Sequence, residues 1–320
     1  REALASADAG KLGRLPDAKT EVFVTLGATH GLLLGMMAIL DRGDEVLIPD
    51  PGFPPYRGMV TLAGGRSVPY RLPASADFEF DPDAVRAAVT DRTRAIILNS
   101  PSNPTGRVAS SEFLSAVADL AQKRNLWVLS DDVYERIIFD GRVHQSIAGL
   151  AEMQERTIVV SAFSKTYAMT GWRLGHVVAP ANVVATMAKL QGHVNACASP
   201  FTQQAGITAL RMDQGVVDEY VRHYERRREV CMSAFAGVPA VRCVRPEGSF
   251  FILCDIRSTG RNDVELSREL LYDARVSSVP GSGFGCESDG FLRFSLACAT
   301  DQLEEAMQRV CATLASAHHR

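Results

Sequence analysis

The chain has 320 residues, more than one hydrophobic core usually organises, and its 46% hydrophobic and 22% charged content is ordinary for a globular enzyme, so two domains are expected. A net charge of −3 with both signs interspersed leaves no basic footprint for nucleic acid, and the most basic run, Arg226 to Arg228, reads as one solvated helix turn. Seven cysteines without a Cys-x-x-Cys spacing fit a reducing compartment better than a disulfide framework or a zinc site, so a cytoplasmic protein without a metal centre is expected.

The opening REALASADAG carries no legible secretory leader. From there, β-rich apolar runs alternate with helical segments: EVFVTL, DEVLIP, RSVPYRL, RAIILNS, LWVLSDD, TIVVSAF and HVVAP. This alternation predicts an α/β fold. The longest apolar run, Gly31 to Leu40, is too short to span a bilayer and is read as a buried helix. From about Gly215 the pattern changes to one long charged helix through HYERRREVCMSAF, then to VRCVRP, SFFILCDI, VSSVP and FLRFSLA with helices between and after them. The expected division is a large domain over 1–214 and, over 215–320, an interdomain helix with a smaller C-terminal α+β domain.

In open α/β sheets ligands collect at the carboxyl ends of strands, so the polar residues that end these runs are the candidates. TLGATHGLL places Gly27, Ala28 and Thr29 where a strand becomes a helix, which leaves unpaired N–H groups and a positive dipole end suited to phosphate. A tight turn alone explains the same residues. NSPSNPTG carries Asn103 in a run of turn-forming pairs; it is either a plain turn or an amide held rigidly to donate a hydrogen bond. SDDVY puts Asp131 at a strand end with Tyr134 three residues on, and an aspartate there either caps the next segment or meets a buried cation. The expected inward carboxylate is Asp131 rather than Asp132, because Tyr134 then returns to the same side. SAFSKTYAMTGWRLG holds Lys165 with Arg173 eight residues later. A lysine of lowered basicity at a strand end forms Schiff bases with carbonyl compounds, whereas a lone lysine is ordinarily a surface charge. The company favours the first reading: lysine, acid, amide, phenol, arginine and a helix start together match the needs of pyridoxal phosphate.

With these motifs on the page the chain resembles the class I/II, fold-type I aminotransferases that use pyridoxal 5′-phosphate, from near residue 1 to about residue 315. GATHG is similar to that family's phosphate turn, DPGFPPY to its strand-end aromatic motif, NPTG to its ring-oxygen motif and DDVY to its pyridine-nitrogen motif. SKTYAMTGWRLG resembles its Schiff-base motif and FLRFSLA its substrate-carboxylate motif. The resemblance implies a three-layer fold, a mostly parallel central sheet flanked by helices. It makes Lys165 the residue that binds the cofactor aldehyde and later moves the Cα proton. Asp131 would pair with the ring nitrogen, and Asn103 and Tyr134 would hold the phenolic oxygen. Phe53 would stack on the ring, Ala28, Thr29 and Arg173 would bind phosphate, and Arg293 would clamp the substrate α-carboxylate. No metal is implied. The implied reaction moves an amino group between an L-amino acid and a 2-oxo acid in a homodimer.

Two departures accompany the resemblance. Many relatives have a hydroxyl residue three before the lysine, where this chain has Ala162; Ser161 or Ser164 is the expected substitute. The family also carries several dozen residues before the point matching Arg1, which contribute part of the small domain, a loop over the pocket and an aromatic hydroxyl reaching the neighbouring subunit's phosphate. REALASA is similar to the interior of the family's first large-domain helix, so a truncated N-terminus is expected. Thr29 stands where some dicarboxylate-specific relatives have lysine, which argues against a strict aspartate enzyme and leaves donor preference open, with neutral or aromatic amino acids and pyruvate or 2-oxoglutarate as the trials to make. The same site chemistry serves carbon–sulfur lyases and other fold-type I enzymes, and a non-catalytic aminotransferase-like regulatory domain is a further alternative.

Overall fold

The computed structural model describes residues 1–316. In chain order it runs α1 (Glu2–Leu12), β1 (Val22–Thr25), α2 (Ala28–Ile39), β2 (Glu45–Asp50), α3 (Pro55–Leu62), β3 (Arg66–Arg71), α4 (Pro82–Ala88) and β4 (Thr93–Asn99). It continues with α5 (Ser111–Arg124), β5 (Trp127–Asp131), β6 (Thr157–Ala162), α6 (Phe163–Thr166), β7 (Gly175–Val178), α7 (Ala181–Val194) and α8 (Pro200–Arg211). The last part is α9 (Gly215–Ala236), β8 (Arg242–Val244), β9 (Phe251–Asp255), α10 (Asp263–Tyr272), β10 (Val279–Pro280), β11 (Phe291–Ser295) and α11 (Thr300–Ser316).

Seven strands form one sheet in the order β1-β7-β6-β5-β4-β2-β3, in which β7 alone runs against its neighbours. Its central strands are apolar on both faces because helices cover both. Val46, Ile48, Ala95, Ile97 and Leu129 pack with α2 and α7, whereas their alternate neighbours Leu47, Ile96, Leu98 and Val128 pack with α4 and α5. The period of two along each strand thus feeds two separate cores. In α5 the buried residues Phe113, Leu114, Val117, Ala118 and Ala121 form one stripe, Ser110 caps the start through the Phe113 amide, and Asn125 ends the helix in the left-handed region.

The second sheet, β10-β11-β9-β8, is antiparallel, and its apolar face packs on α9, α10 and α11 around Cys231, Phe235, Ile252, Leu266, Leu292 and Val310. The three-layer α/β arrangement with a smaller antiparallel sheet agrees with the sequence expectation. No helix among the described residues is long and apolar enough to cross a membrane.

Two expectations are corrected. The run Arg226–Arg228 is not solvated throughout: Arg226 is exposed, but Arg228 is 1% exposed, paired through both terminal nitrogens with Asp140 at 2.7 Å, donating to the Pro246 carbonyl and lying over the Phe139 ring. The loop after β5 folds back over α9 and brings its acid to this one arginine, which a local charge count does not reveal. Cys243 and Cys254 form a disulfide, because the register of β8 on β9 sets them directly opposite with Cα atoms 4.1 Å apart. Their separation of eleven residues resembles no short cysteine motif.

Candidate active site

The carboxyl ends of β4, β5 and β6, the start of α2, the turn before α3 and the middle of β11 converge on a pocket of about 290 Å³. The nine residues to which the resemblance gives a role line it: Ala28, Thr29, Phe53, Asn103, Asp131, Tyr134, Lys165, Arg173 and Arg293. The parallel pairing does much of this, since the register of β4 on β5 sets Asn99 beside Asp131, and β6 delivers the chain straight into α6 and Lys165.

Asp131 is the acid of the pocket. It is 4% exposed, its Oδ2 accepts a 2.6 Å hydrogen bond from the Tyr56 hydroxyl, and its Oδ1 is buried without a hydrogen-bond partner among the described residues. Burial pushes its pKa up to about 6, with neighbouring Asp132 adding to the rise, while the Tyr56 hydrogen bond and the Lys165 charge oppose it. Asp132 turns to the other side, toward Ser130 and His144.

Lys165 is half-buried with its ammonium 5.3 Å from the centre of the Phe250 ring. Burial first, then the charges of Arg293 and Arg173, hold its pKa below the ordinary lysine value, and Asp131 only partly compensates. A larger fraction of neutral amine at neutral pH follows, which is what a nucleophilic or proton-accepting lysine requires.

Gly27 stands before α2 at φ 92°, where a Cβ would lie 2.7 Å from a terminal nitrogen of Arg173. The missing side chain lets that guanidinium sit against the helix start, donating to the carbonyls of Leu26 and Thr170. Helix dipole, free N–H groups and arginine therefore meet at one end of the pocket. Ser164 lines this pocket, whereas Ser161 donates to Glu135 outside it, so Ser164 alone is placed to substitute for the hydroxyl missing at Ala162.

Arg293 enters from β11 and is not an edge-strand charge, because β10 and β9 flank that strand. Its guanidinium lies 4.1 Å from the Phe251 ring centre and 4.8 Å from that of Phe284, and donates to Asn103 Oδ1 at 2.8 Å. Burial lowers its pKa to about 10, still a cation at neutral pH. Its Nε is buried and unpartnered, so one edge of the guanidinium is left for a ligand carboxylate. Asn103 spends its oxygen on Arg293 and keeps its amide N–H groups to donate.

Sequence reasoning missed four contributors. Tyr56 lay within DPGFPPY, where only Phe53 was singled out, although their rings meet edge to face at 5.4 Å. Asn99 accepts from the Asn103 amide and donates to the Asp131 carbonyl, and a polar residue closing an apolar strand was its available signal. Phe251 and Phe284 carried no signal, since only tertiary folding brings them to Arg293.

A second cleft of about 540 Å³ shares Ala162 with this site. There Lys11 pairs with Glu135 at 2.6 Å and with Asp8 at 3.0 Å, and Asp8 meets His176 at 2.7 Å. Asp132, Glu135 and His144 bring ligand atoms within 4.8 Å of one another there, but the Lys11 ammonium already supplies their positive charge.

Residues 2–310 match the family described as aminotransferase class I and II. The chain is 42% identical over 298 residues to an aspartate aminotransferase of Pyrococcus abyssi, covering 92% of this chain and 76% of that one. It is 41% identical over 314 residues to aromatic-amino-acid aminotransferase 2 of Thermococcus litoralis, covering 97% of this chain and 80% of that one. The crystal structure of an aromatic aminotransferase from Pyrococcus horikoshii superposes with a TM-score of 0.95 at 42% identity, over 98% of this chain and 85% of that one. A match that runs nearly the whole length, with the fold carried along, establishes that this chain belongs to the class I and II aminotransferases, enzymes that move an amino group between an amino acid and a 2-oxo acid.

Proposed function

We propose that this pocket holds pyridoxal 5′-phosphate and that Lys165 bonds the cofactor's aldehyde. The carrying observation is the buried, unpartnered Oδ1 of Asp131, an acceptor in the same pocket as a lysine of lowered basicity and a helix start backed by arginine. When bound, the cofactor supplies a protonated ring that withdraws electrons from the substrate's Cα. The rest falls to the chain's own residues. Asp131, whose pKa burial raises to about 6 in the empty pocket, would meet the ring nitrogen's proton. Asn103 and the Tyr134 hydroxyl would supply donors for the ring's phenolic oxygen, and Phe53 would offer the ring an aromatic neighbour. The amides of Ala28 and Thr29, with Arg173, bind the phosphate. Arg293, set by Asn103 and two aromatic faces, takes the substrate α-carboxylate, and the freed Lys165 amine accepts the Cα proton.

The same reading divides the chain at Gly215, the start of α9, into the domains 1–214 and 215–320. It makes the protein a homodimer, supported by the exposed aromatics Trp172 (48%) and Phe201 (75%) beside Arg173. Sedimentation of a monomer at micromolar concentration would count against the dimer. A cytoplasmic setting is supported by five unpaired cysteines, and the Cys243–Cys254 bond argues the other way. Neutral and aromatic donors with pyruvate or 2-oxoglutarate as acceptor are our substrate reading, given Thr29; strict preference for aspartate in a donor panel would overturn it.

The deciding experiment adds pyridoxal phosphate, records the visible spectrum, reduces with borohydride and maps the modified peptide. An adduct on Lys165 whose spectrum changes with an amino acid is the expected result. An adduct elsewhere, or none, refutes the assignment.

A further inference from the structure

The assignment of Asp131 leaves open how a carboxylate so deeply buried stays ionised and correctly turned. Burial alone favours its neutral acid, which could rotate and offer its own proton to the pocket. The groups facing it are few. Asp132, the next residue, repels it; the Val133 backbone N–H and, from after β6, Lys165 attract it; Tyr134 stands on the following loop; and from the start of α3 Tyr56 reaches it directly. Of these, Tyr56 makes the side-chain hydrogen bond, at 2.6 Å to Oδ2.

Tyr56 is built for that contact. It is 1% exposed, its backbone N–H donates to the Phe53 carbonyl, and its ring packs edge to face on Phe53. Burial, and then the charge of Asp131, hold the phenol's pKa well above its ordinary value, so the hydroxyl remains a donor throughout the working pH range. With Oδ2 occupied and Oδ1 empty, the carboxylate has one orientation and one free acceptor.

Resting on the cofactor reading above, we propose that Tyr56 is the positioning residue of this site: its hydroxyl claims one oxygen of Asp131, keeps the group a carboxylate and leaves the other oxygen for the cofactor's ring N–H. It touches neither substrate nor cofactor and acts through Asp131. The same side chain also supports Phe53, so one residue at the start of α3 fixes both the acid and the aromatic ring assigned to the cofactor.

Tyr56→Phe removes only the hydroxyl and preserves the ring packing. Tyr70→Phe is the control, because Tyr70 is an equally buried tyrosine whose hydroxyl donates to the Ile97 carbonyl. Two readouts are taken. The first is the titration of the Asp131 carboxyl in the cofactor-free chain, followed by NMR of isotope-labelled carboxyl carbon and assigned by its loss in Asp131→Asn. The second is pyridoxal phosphate affinity against pH, whose acidic limb falls where Asp131 takes up its proton. In Tyr56→Phe both midpoints are expected to move upward by about one unit, the scale of a lost hydrogen bond to a carboxylate. Tyr70→Phe should move neither. An unchanged midpoint in Tyr56→Phe, or an equal shift in Tyr70→Phe, overturns the proposal. If the wild-type chain takes up no cofactor on Lys165, the cofactor reading fails, and the cofactor-free titration alone decides whether Tyr56 sets Asp131.

Discussion

Asp131→Asn should make the cofactor-free chain more stable while disabling it as an enzyme. The substitution keeps the side chain's shape and an oxygen for the Tyr56 hydroxyl, but removes a charge from a site that is 4% exposed. The folded pKa of about 6 lies above that of an unfolded aspartate, so the native chain holds a proton that the unfolded chain has released. Stability from this group is therefore fully present below the unfolded value and is lost as pH rises through about 6. A shift of about two units at about 1.4 kcal/mol each gives a cost of about 3 kcal/mol at pH 8, and about half of that at pH 5. Urea unfolding of both cofactor-free chains at the two pH values measures the difference. The variant should gain about 3 kcal/mol at pH 8 and about 1.5 kcal/mol at pH 5, with the rate of amino transfer falling sharply. A variant less stable than wild type at pH 8, or a gain independent of pH, would show that the carboxylate is not buried at a cost. The account of the pocket's acid would then be wrong.

Three further outcomes follow from the geometry. Lys165→Ala should abolish turnover and borohydride-trapped label while leaving far-ultraviolet circular dichroism unchanged, because a half-buried lysine that makes no ion pair among the described residues supports little of the fold; residual turnover in the purified variant would refute its role. Arg293→Lys keeps the charge but loses the planar fork between Phe251 and Phe284, so kcat/KM for amino acids should fall by about 10- to 100-fold, and a value within about twofold of wild type would remove Arg293 from the carboxylate site. Gly27→Ala forces a Cβ to within 2.7 Å of Arg173 at a backbone angle of φ 92°, so pyridoxal phosphate affinity should drop by about tenfold or more; undiminished affinity by fluorescence titration would show that Arg173 does not serve the phosphate.

The strand-ending residues illustrate what local sequence can encode. Asp131, Asn103 and Lys165 could be singled out as candidates because each follows an apolar run read as a buried strand, and parallel strands flanked by helices deliver their carboxyl ends to one edge, while their roles came from the resemblance. The roles of Phe53 and Arg293 rested on resemblance, since an aromatic among prolines and an arginine in an antiparallel strand have ordinary structural explanations. Arg228 was misread because its neighbours in sequence are charged and solvated, whereas its partner Asp140 lies 88 residues away. Tyr56 was passed over for the same reason, being 75 residues from the acid it serves.

By itself, then, the sequence determined the alternation of strands and helices, the doubly covered sheet and the chemical types at the strand ends, because hydrophobic periodicity and turn chemistry act over a few residues. Tertiary structure alone decided which oxygen of Asp131 is free, which serine faces the pocket, which aromatics hold Arg293 and which cysteines meet. These depend on register between distant strands and on the packing of helix starts against loops. Such distances are set by the whole folded chain and leave no trace in any short stretch of it.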